Sequence, residues 1–191
     1  MLTDEQILQN KEKYLSLLTK LNVDLTQFSK YLEAVDYFNK PASTQYFKAY
    51  PGGLCQHALD LYFELGTLCN AYFPGQYSEN DIIVVALFKD LYKAEMYESY
   101  MKNVKDDTTG EWTRVNAYRT KEERPTFGDL GFSSFMVAQH FFTFTDEQIE
   151  AIVHGRGLDG YSIDIQDILK SYPLVALTRM ADFAATYFCK E

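Results

Sequence analysis

The sequence predicts a mostly α-helical single domain over residues 1–191, interrupted by one small β-hairpin. Three observations predict it. Apolar residues recur at helical spacing through most of the chain. Helix-start signals stand at Thr3-Asp4-Glu5-Gln6, Ser78-Glu79-Asn80-Asp81 and Thr145-Asp146-Glu147-Gln148. The periodicity breaks once, around the turn signal Asp107-Thr108-Thr109-Gly110.

Residues 1–50 read as N-terminal helices. Thr3 and Gln6 can each satisfy a free backbone amide at the start of the first helix, whose inner face carries Ile7, Tyr14, Leu15, Leu17, Leu18 and Leu21. Asp24 is expected to cap a second helix with Phe28, Tyr31, Leu32, Val35 and Phe38 inward, ended by Pro41. A loop over 42–53 closes on Tyr50-Pro51-Gly52-Gly53. The third helix runs from about Leu54 to Ala71, with Leu54, Ala58, Leu61, Leu65 and Leu68 as its stripe and His57 beside it. The fourth opens at Ser78, and its pattern continues through Glu95 to Met101. The hairpin is expected at about 102–118, with Trp112, Val115 and Tyr118 on its second strand. A loop over 125–131 precedes a fifth helix at 132–142. A sixth follows Thr145 and ends at His154-Gly155-Arg156-Gly157, where glycine is expected to supply a left-handed cap. After a loop through Gly160 and a short helix at 165–169, the last helix starts at Ser171-Tyr172-Pro173. Its inner face carries Leu174, Leu177, Thr178, Ala181, Ala185 and Phe188, with Asp182 beside them.

Composition narrows the function classes. The net charge of −9 argues against a broad nucleic-acid surface, which needs clustered Lys and Arg. The hairpin region 102–124 holds six basic against five acidic residues, so it is near neutral on an acidic chain. No run of apolar residues has the length of a membrane span, and Met1-Leu2-Thr3-Asp4-Glu5-Gln6 lacks the features of a signal peptide. Cys55, Cys69 and Cys189 are odd in number and lie in apolar helical patterns, so they read as buried free thiols. A cytoplasmic location is the expectation. Fifteen tyrosines and fourteen phenylalanines predict an aromatic core.

The stretch Ala86-Leu87-Phe88-Lys89-Asp90-Leu91-Tyr92-Lys93 is the anomaly. Ile83, Leu87, Asp90 and Leu91 fall near one face of a helix, which sets a carboxylate among apolar neighbours. A metal ion, a side chain such as Lys89, or water must compensate it. His57 and Asp182 also lie on or beside apolar stripes of separate helices. One inward His or Asp is most often structural; three on three helices suggest a site gathered across a bundle. One imidazole and two carboxylates suit a hard or borderline divalent ion.

These segments resemble the HD-domain phosphohydrolase superfamily. Tyr50-Pro51-Gly52-Gly53-Leu54-Cys55-Gln56-His57 looks like its first-histidine motif, and 86–93 is similar to its His-Asp motif. Leu177-Thr178-Arg179-Met180-Ala181-Asp182 resembles the segment of the final aspartate. The likeness spans roughly 51–188 and is nearest to the small HD hydrolases of bacterial and phage genomes. It implies an HD helical bundle with its core over 51–189, and a metal site of His57, Asp90 and Asp182 holding one divalent ion (Mn, Fe, Ni, Zn or Mg) if it holds any.

The chain departs from that pattern. Lys89 stands at a metal-ligating histidine position, and an ammonium has no lone pair to offer a cation. Phe132, in Leu130-Gly131-Phe132-Ser133, stands where the branch has the histidine of a Gly-His-Gly motif. His154 lies one residue early against a further histidine motif, and His140 matches none.

Two readings follow from the resemblance. The first is a degenerate HD protein, a non-catalytic ligand-binding or regulatory module. Its ligand would be a small phosphorylated molecule or nucleotide contacting Lys89, Lys93, His154 and Arg156, or a protein. The alternative is an active metal-dependent phosphohydrolase with Asp90 and Lys89 as catalytic residues. A third class is an interaction protein whose polar trio is only a core network. If Lys89 points inward, it lowers the pKa of Asp90 or Asp182 and takes the cation's place.

Overall fold

A computed structural model of the chain describes residues 1–105, 108–123, 128–156 and 163–189. It is mostly helical with one two-stranded antiparallel hairpin. The expected loops at 125–131 and around Gly160, together with Asp107 and Gly157, fall partly or wholly outside the described residues.

Helix α1 (Asp4–Thr19) opens on the expected box: Thr3 Oγ1 accepts from the Gln6 amide and Gln6 Oε1 accepts from the Thr3 amide. Helix α2 (Thr26–Ala34) follows, and Asp24 Oδ1 accepts from the Thr26 amide at 2.9 Å. The helix stops short of Phe38 because Asp36 adopts φ 53°, turning the chain into a short 3-10 segment, Tyr37–Asn39. The loop after it folds back tightly on α3 (Gly53–Tyr72). A Cβ at Gly53 would lie 2.1 Å from the Lys48 carbonyl oxygen, so this close backbone approach needs glycine.

Helix α4 (Glu79–Phe88) is buried at every position over 82–88, as expected of a helix that is apolar all round. It ends at Phe88, earlier than the sequence pattern suggests. Tight turn bonds from the Leu91 amide to the Phe88 carbonyl and from Lys93 to Asp90 carry the chain into α5 (Lys93–Met96). Strand β1 (Tyr97–Lys105) pairs with β2 (Trp112–Thr120), in register from Tyr97↔Thr120 to Lys105↔Trp112. The hairpin therefore begins at Tyr97, not 102, and the helical reading of 97–101 is corrected. Those five residues also carry two tyrosines, which suit a strand as well as a helix, and their backbone bonds go across the ladder.

Helix α6 (Leu130–Ala138) starts two residues before the expected 132 because Asp129 caps it, its Oδ1 accepting from the Phe132 amide at 2.8 Å. Helix α7 (Asp146–His154) ends at Gly155 with φ −71°, so the expected left-handed cap is not made there. Gly155 serves close packing instead: a Cβ would meet the Ala151 carbonyl oxygen at 2.1 Å and Thr178 Cγ2 at 2.4 Å. Helix α8 (Ile163–Ser171) is longer than the expected 165–169, and α9 (Pro173–Tyr187) closes the chain with Pro173 in its first turn. Phe188 is 69% exposed and does not join the inner face, because α9 has ended before it.

Helix α3 packs along α9, α4 and α1 and so forms the axis of the body. On one side an aromatic core gathers Tyr14, Phe28, Tyr37, Phe38, Phe88 and Phe142. On the other, Leu61, Leu65, Ala86, Ala151, Leu177 and Ala181 join α3, α4, α7 and α9. Two capping boxes lock together, since Gln148 Nε2 donates to Asp81 Oδ1 at 2.7 Å. Among the described residues no helix is long and apolar enough to cross a membrane.

Candidate functional site

Where α3, the α4–α5 turn and α9 meet, five ionisable side chains converge. Helix α3 contributes His57, one turn inside its glycine-led start. The turn after α4 contributes Lys89 and Asp90, and the first residue of α5 is Lys93. Asp182 comes from the inner flank of α9. Lys89 is 1% exposed and Lys93 3% exposed, among the lowest values of any charged residue described.

The contacts are dense. Lys89 Nζ lies 2.9 Å from Asp182 Oδ1 and 3.2 Å from Asp90 Oδ2. Lys93 Nζ lies 3.0 Å from that same Asp90 oxygen. His57 Nε2 is 3.1 Å from Asp182 Oδ1 and 3.4 Å from Asp90 Oδ2. The geometry assigns the Nε2 proton, since both facing atoms are carboxylate oxygens that only accept. Phe47 lids the group: its ring lies 5.0 Å from the His57 ring, and Lys93 Nζ stands 5.2 Å from the Phe47 centroid.

Electrostatics follow from this packing. Burial pushes the Asp90 carboxyl up, but Lys89, Lys93 and His57 outweigh it and hold the group well below the usual carboxylate range. Burial likewise opposes ionisation of Asp182, and Lys89 with His57 reverses the balance. For Lys89, burial pulls the ammonium down while Asp182 and Asp90 lift it above its ordinary value. Lys93 goes the other way: burial and the nearby Lys89 charge together exceed the pull of Asp90 and Asp182. With both lysines protonated, two ammonium groups face two carboxylates.

The residues of metal-ligand type do come together: one atom each of His57, Asp90 and Asp182 lies within 4.8 Å of the others. That spacing suits one ion. The surroundings do not, because the same oxygens already receive the Lys89 and Lys93 ammonium groups, which repel a cation and carry no lone pair. Asp90 Oδ1 and His57 Nδ1 are buried without a hydrogen-bond partner among the described residues. With both lysines charged, a resident divalent metal does not fit this donor set.

Other sequence-predicted positions stay apart. His154 Nε2 faces Glu150 Oε2, one turn back on α7, at 3.4 Å. Its carbonyl accepts from Arg179 Nε. Arg156 is exposed, as are Phe132 and His140. Sequence reasoning missed Phe47, which lay in a stretch read only as loop. It also missed Lys48, whose Nζ is 3.1 Å from Asp60 Oδ2 and donates to the Ala185 carbonyl at 2.8 Å. No local pattern marks either residue. The partners that define their roles lie on α3 and α5 for Phe47 and on α3 and α9 for Lys48. The cysteines are free, with Cys55 and Cys69 buried. No family model matches the chain, and searches of curated proteins and of solved structures return no significant match.

Proposed function

We propose that this chain is a degenerate member of the HD-domain class, a non-catalytic interaction or regulatory module whose metal has been replaced by lysine. The observation that carries the reading is Lys89 Nζ, seated between Asp182 Oδ1 at 2.9 Å and Asp90 Oδ2 at 3.2 Å. That is the place where the HD resemblance puts an ion. A metal-activated water needs an open cation beside it, and here the carboxylates are spent on ammonium groups.

Protein interaction is favoured over capture of a nucleotide or other small phosphorylated ligand. An anion would have to compete with Asp90 and Asp182 for Lys89 and Lys93, which are buried and already paired. The convergence of the His57, Asp90 and Asp182 ligand atoms favours the second reading, a reduced metal-dependent phosphohydrolase.

One experiment separates the two. Purified protein is analysed for Mn, Fe, Ni, Zn and Mg, and assayed with added Mn²⁺ on bis(p-nitrophenyl) phosphate. The expected result is sub-stoichiometric metal and no hydrolysis above a blank. One equivalent of metal, with hydrolysis abolished by Asp90→Ala, would establish the phosphohydrolase instead. A nucleotide-induced rise in melting temperature that disappears in Lys93→Ala would redirect the proposal to a nucleotide-binding module.

A further inference from the structure

Lys89 answers for only half of the charge. Asp90 and Asp182 together bring two negative charges into a junction where Lys89, Lys93, His57 and Asp90 are all buried. A single ammonium would leave one of them uncompensated, and buried unpaired charge is what proteins avoid most strongly. The second positive charge is Lys93, whose Nζ stands 3.0 Å from Asp90 Oδ2, the same oxygen that Lys89 approaches at 3.2 Å. Its Nζ stands over the ring of Phe47, 5.2 Å from the centroid.

Resting on the lysine-for-metal reading above, we infer that Lys89 and Lys93 act as one unit, a covalently tethered dication that supplies the charge of a divalent ion. The division of labour is visible in the contacts. Lys89 bridges both carboxylates and ties the end of α4 to α9. Of the two carboxylates Lys93 contacts Asp90, three residues away, and completes the charge. His57 bridges the same two oxygens from α3, so three parts of the fold are held at one junction.

The consequence is specific. Restoring a ligand with Lys89→His recreates a two-histidine, two-aspartate donor set but leaves the Lys93 ammonium at contact distance from one of its oxygens. A divalent ion entering that variant would face an adjacent positive charge in a poorly hydrated site. Metal binding should therefore require both changes.

The test is calorimetric titration of Mn²⁺ and Zn²⁺ into the wild-type chain, Lys89→His, Lys93→Met and the double variant, with circular dichroism to confirm folding. The double variant is expected to bind one equivalent, with affinity on the order of a hundredfold above that of Lys89→His alone. Equal affinity in Lys89→His and the double variant would overturn the role of Lys93 and leave the proposed function standing. A folded double variant that binds no metal would overturn the inference in the same way. Stoichiometric binding by the wild-type chain would overturn the proposed function itself. If the double variant does not fold, a thermodynamic cycle of Lys93→Met with Asp90→Asn decides. The inference expects the loss from Lys93→Met to shrink at least severalfold when Asp90 is already neutral, and an unchanged loss would overturn it.

Discussion

Two buried-lysine sites sit about one helical turn apart along the α3–α9 interface and handle the same problem differently. At the junction of Lys89, Lys93, Asp90, Asp182 and His57, whole charges are matched by whole charges. One turn on, Lys48 is 4% exposed and meets one carboxylate, Asp60, plus the carbonyl oxygens of Ala185 at 2.8 Å and Cys189 at 3.5 Å. Those carbonyls belong to the C-terminal end of α9, the negative pole of its dipole. The outcome for the carboxylates is opposite. Asp90 and Asp182 are held far below their ordinary range, whereas burial raises Asp60 in spite of the opposing Lys48 charge. A full complement of counterions outweighs the burial of a carboxylate; one lysine shared with carbonyls offsets only part of it.

Breaking the first site should have the larger effect. Asp90→Ala leaves Lys89 and Lys93 with only Asp182 opposite them, and removing one partner from a buried ionic network costs about 3–5 kcal/mol. Urea denaturation of the variant against wild type reads this directly. A loss under about 1 kcal/mol would place the network in the class of exposed ion pairs. Lys48→Met should cost less, about 1–3 kcal/mol, mainly from the α9 carbonyls left unpaired. Loss of Lys48 also removes the charge that opposes the upward shift of Asp60.

The acid limb sharpens the contrast because the two sites have opposite signs. Asp90 and Asp182 titrate below the ordinary 3.8 in the folded chain, so their stabilisation is present above that value. It drains away as pH falls toward their folded pKa values. Asp60 titrates above 3.8 when folded, so it contributes stability at low pH that is lost as pH rises through its folded pKa. Urea midpoints between about pH 2 and 6 should therefore fall toward acid in wild type. The fall should be shallower in Asp90→Asn and steeper in Asp60→Asn. Identical slopes in all three would break the comparison.

Tyr14→Phe marks the neutral end of the scale. The buried Tyr14 hydroxyl donates to the Leu87 carbonyl at 3.1 Å, one turn before the charged cluster, and its removal should cost about 1 kcal/mol. A loss as large as that of Asp90→Ala would mean that the end of α4 is held by Tyr14 as much as by its ions.

The elements were legible where their signals are local. Each of the three capping boxes joins residues only three apart, so Thr3 with Gln6, Ser78 with Asp81 and Thr145 with Gln148 could be read directly. Positions 97–101 were not, since a helix and a strand both accept Tyr-Glu-Ser-Tyr-Met, and only the β2 ladder decides between them. Gly155 misled for a similar reason. Glycine after a helix usually marks a left-handed cap, but here the missing side chain makes room for Thr178 on α9.

The site divides in the same way. The sequence by itself determined that His57, Asp90 and Asp182 would be drawn inward, because each sits on or beside an apolar stripe that hydrophobic burial must turn toward the core. It also placed Lys89 where a metal-ligating histidine would stand in the HD resemblance. What only the tertiary structure decided is the direction of Lys89 and Lys93, and the company kept by Lys48 and Phe47. A flexible ammonium stem next to a helix end can reach solvent or core with nearly equal ease. Its direction is set by whether carboxylates from α3's neighbours arrive within contact distance, and that depends on how three helices pack, not on the order of residues in any one.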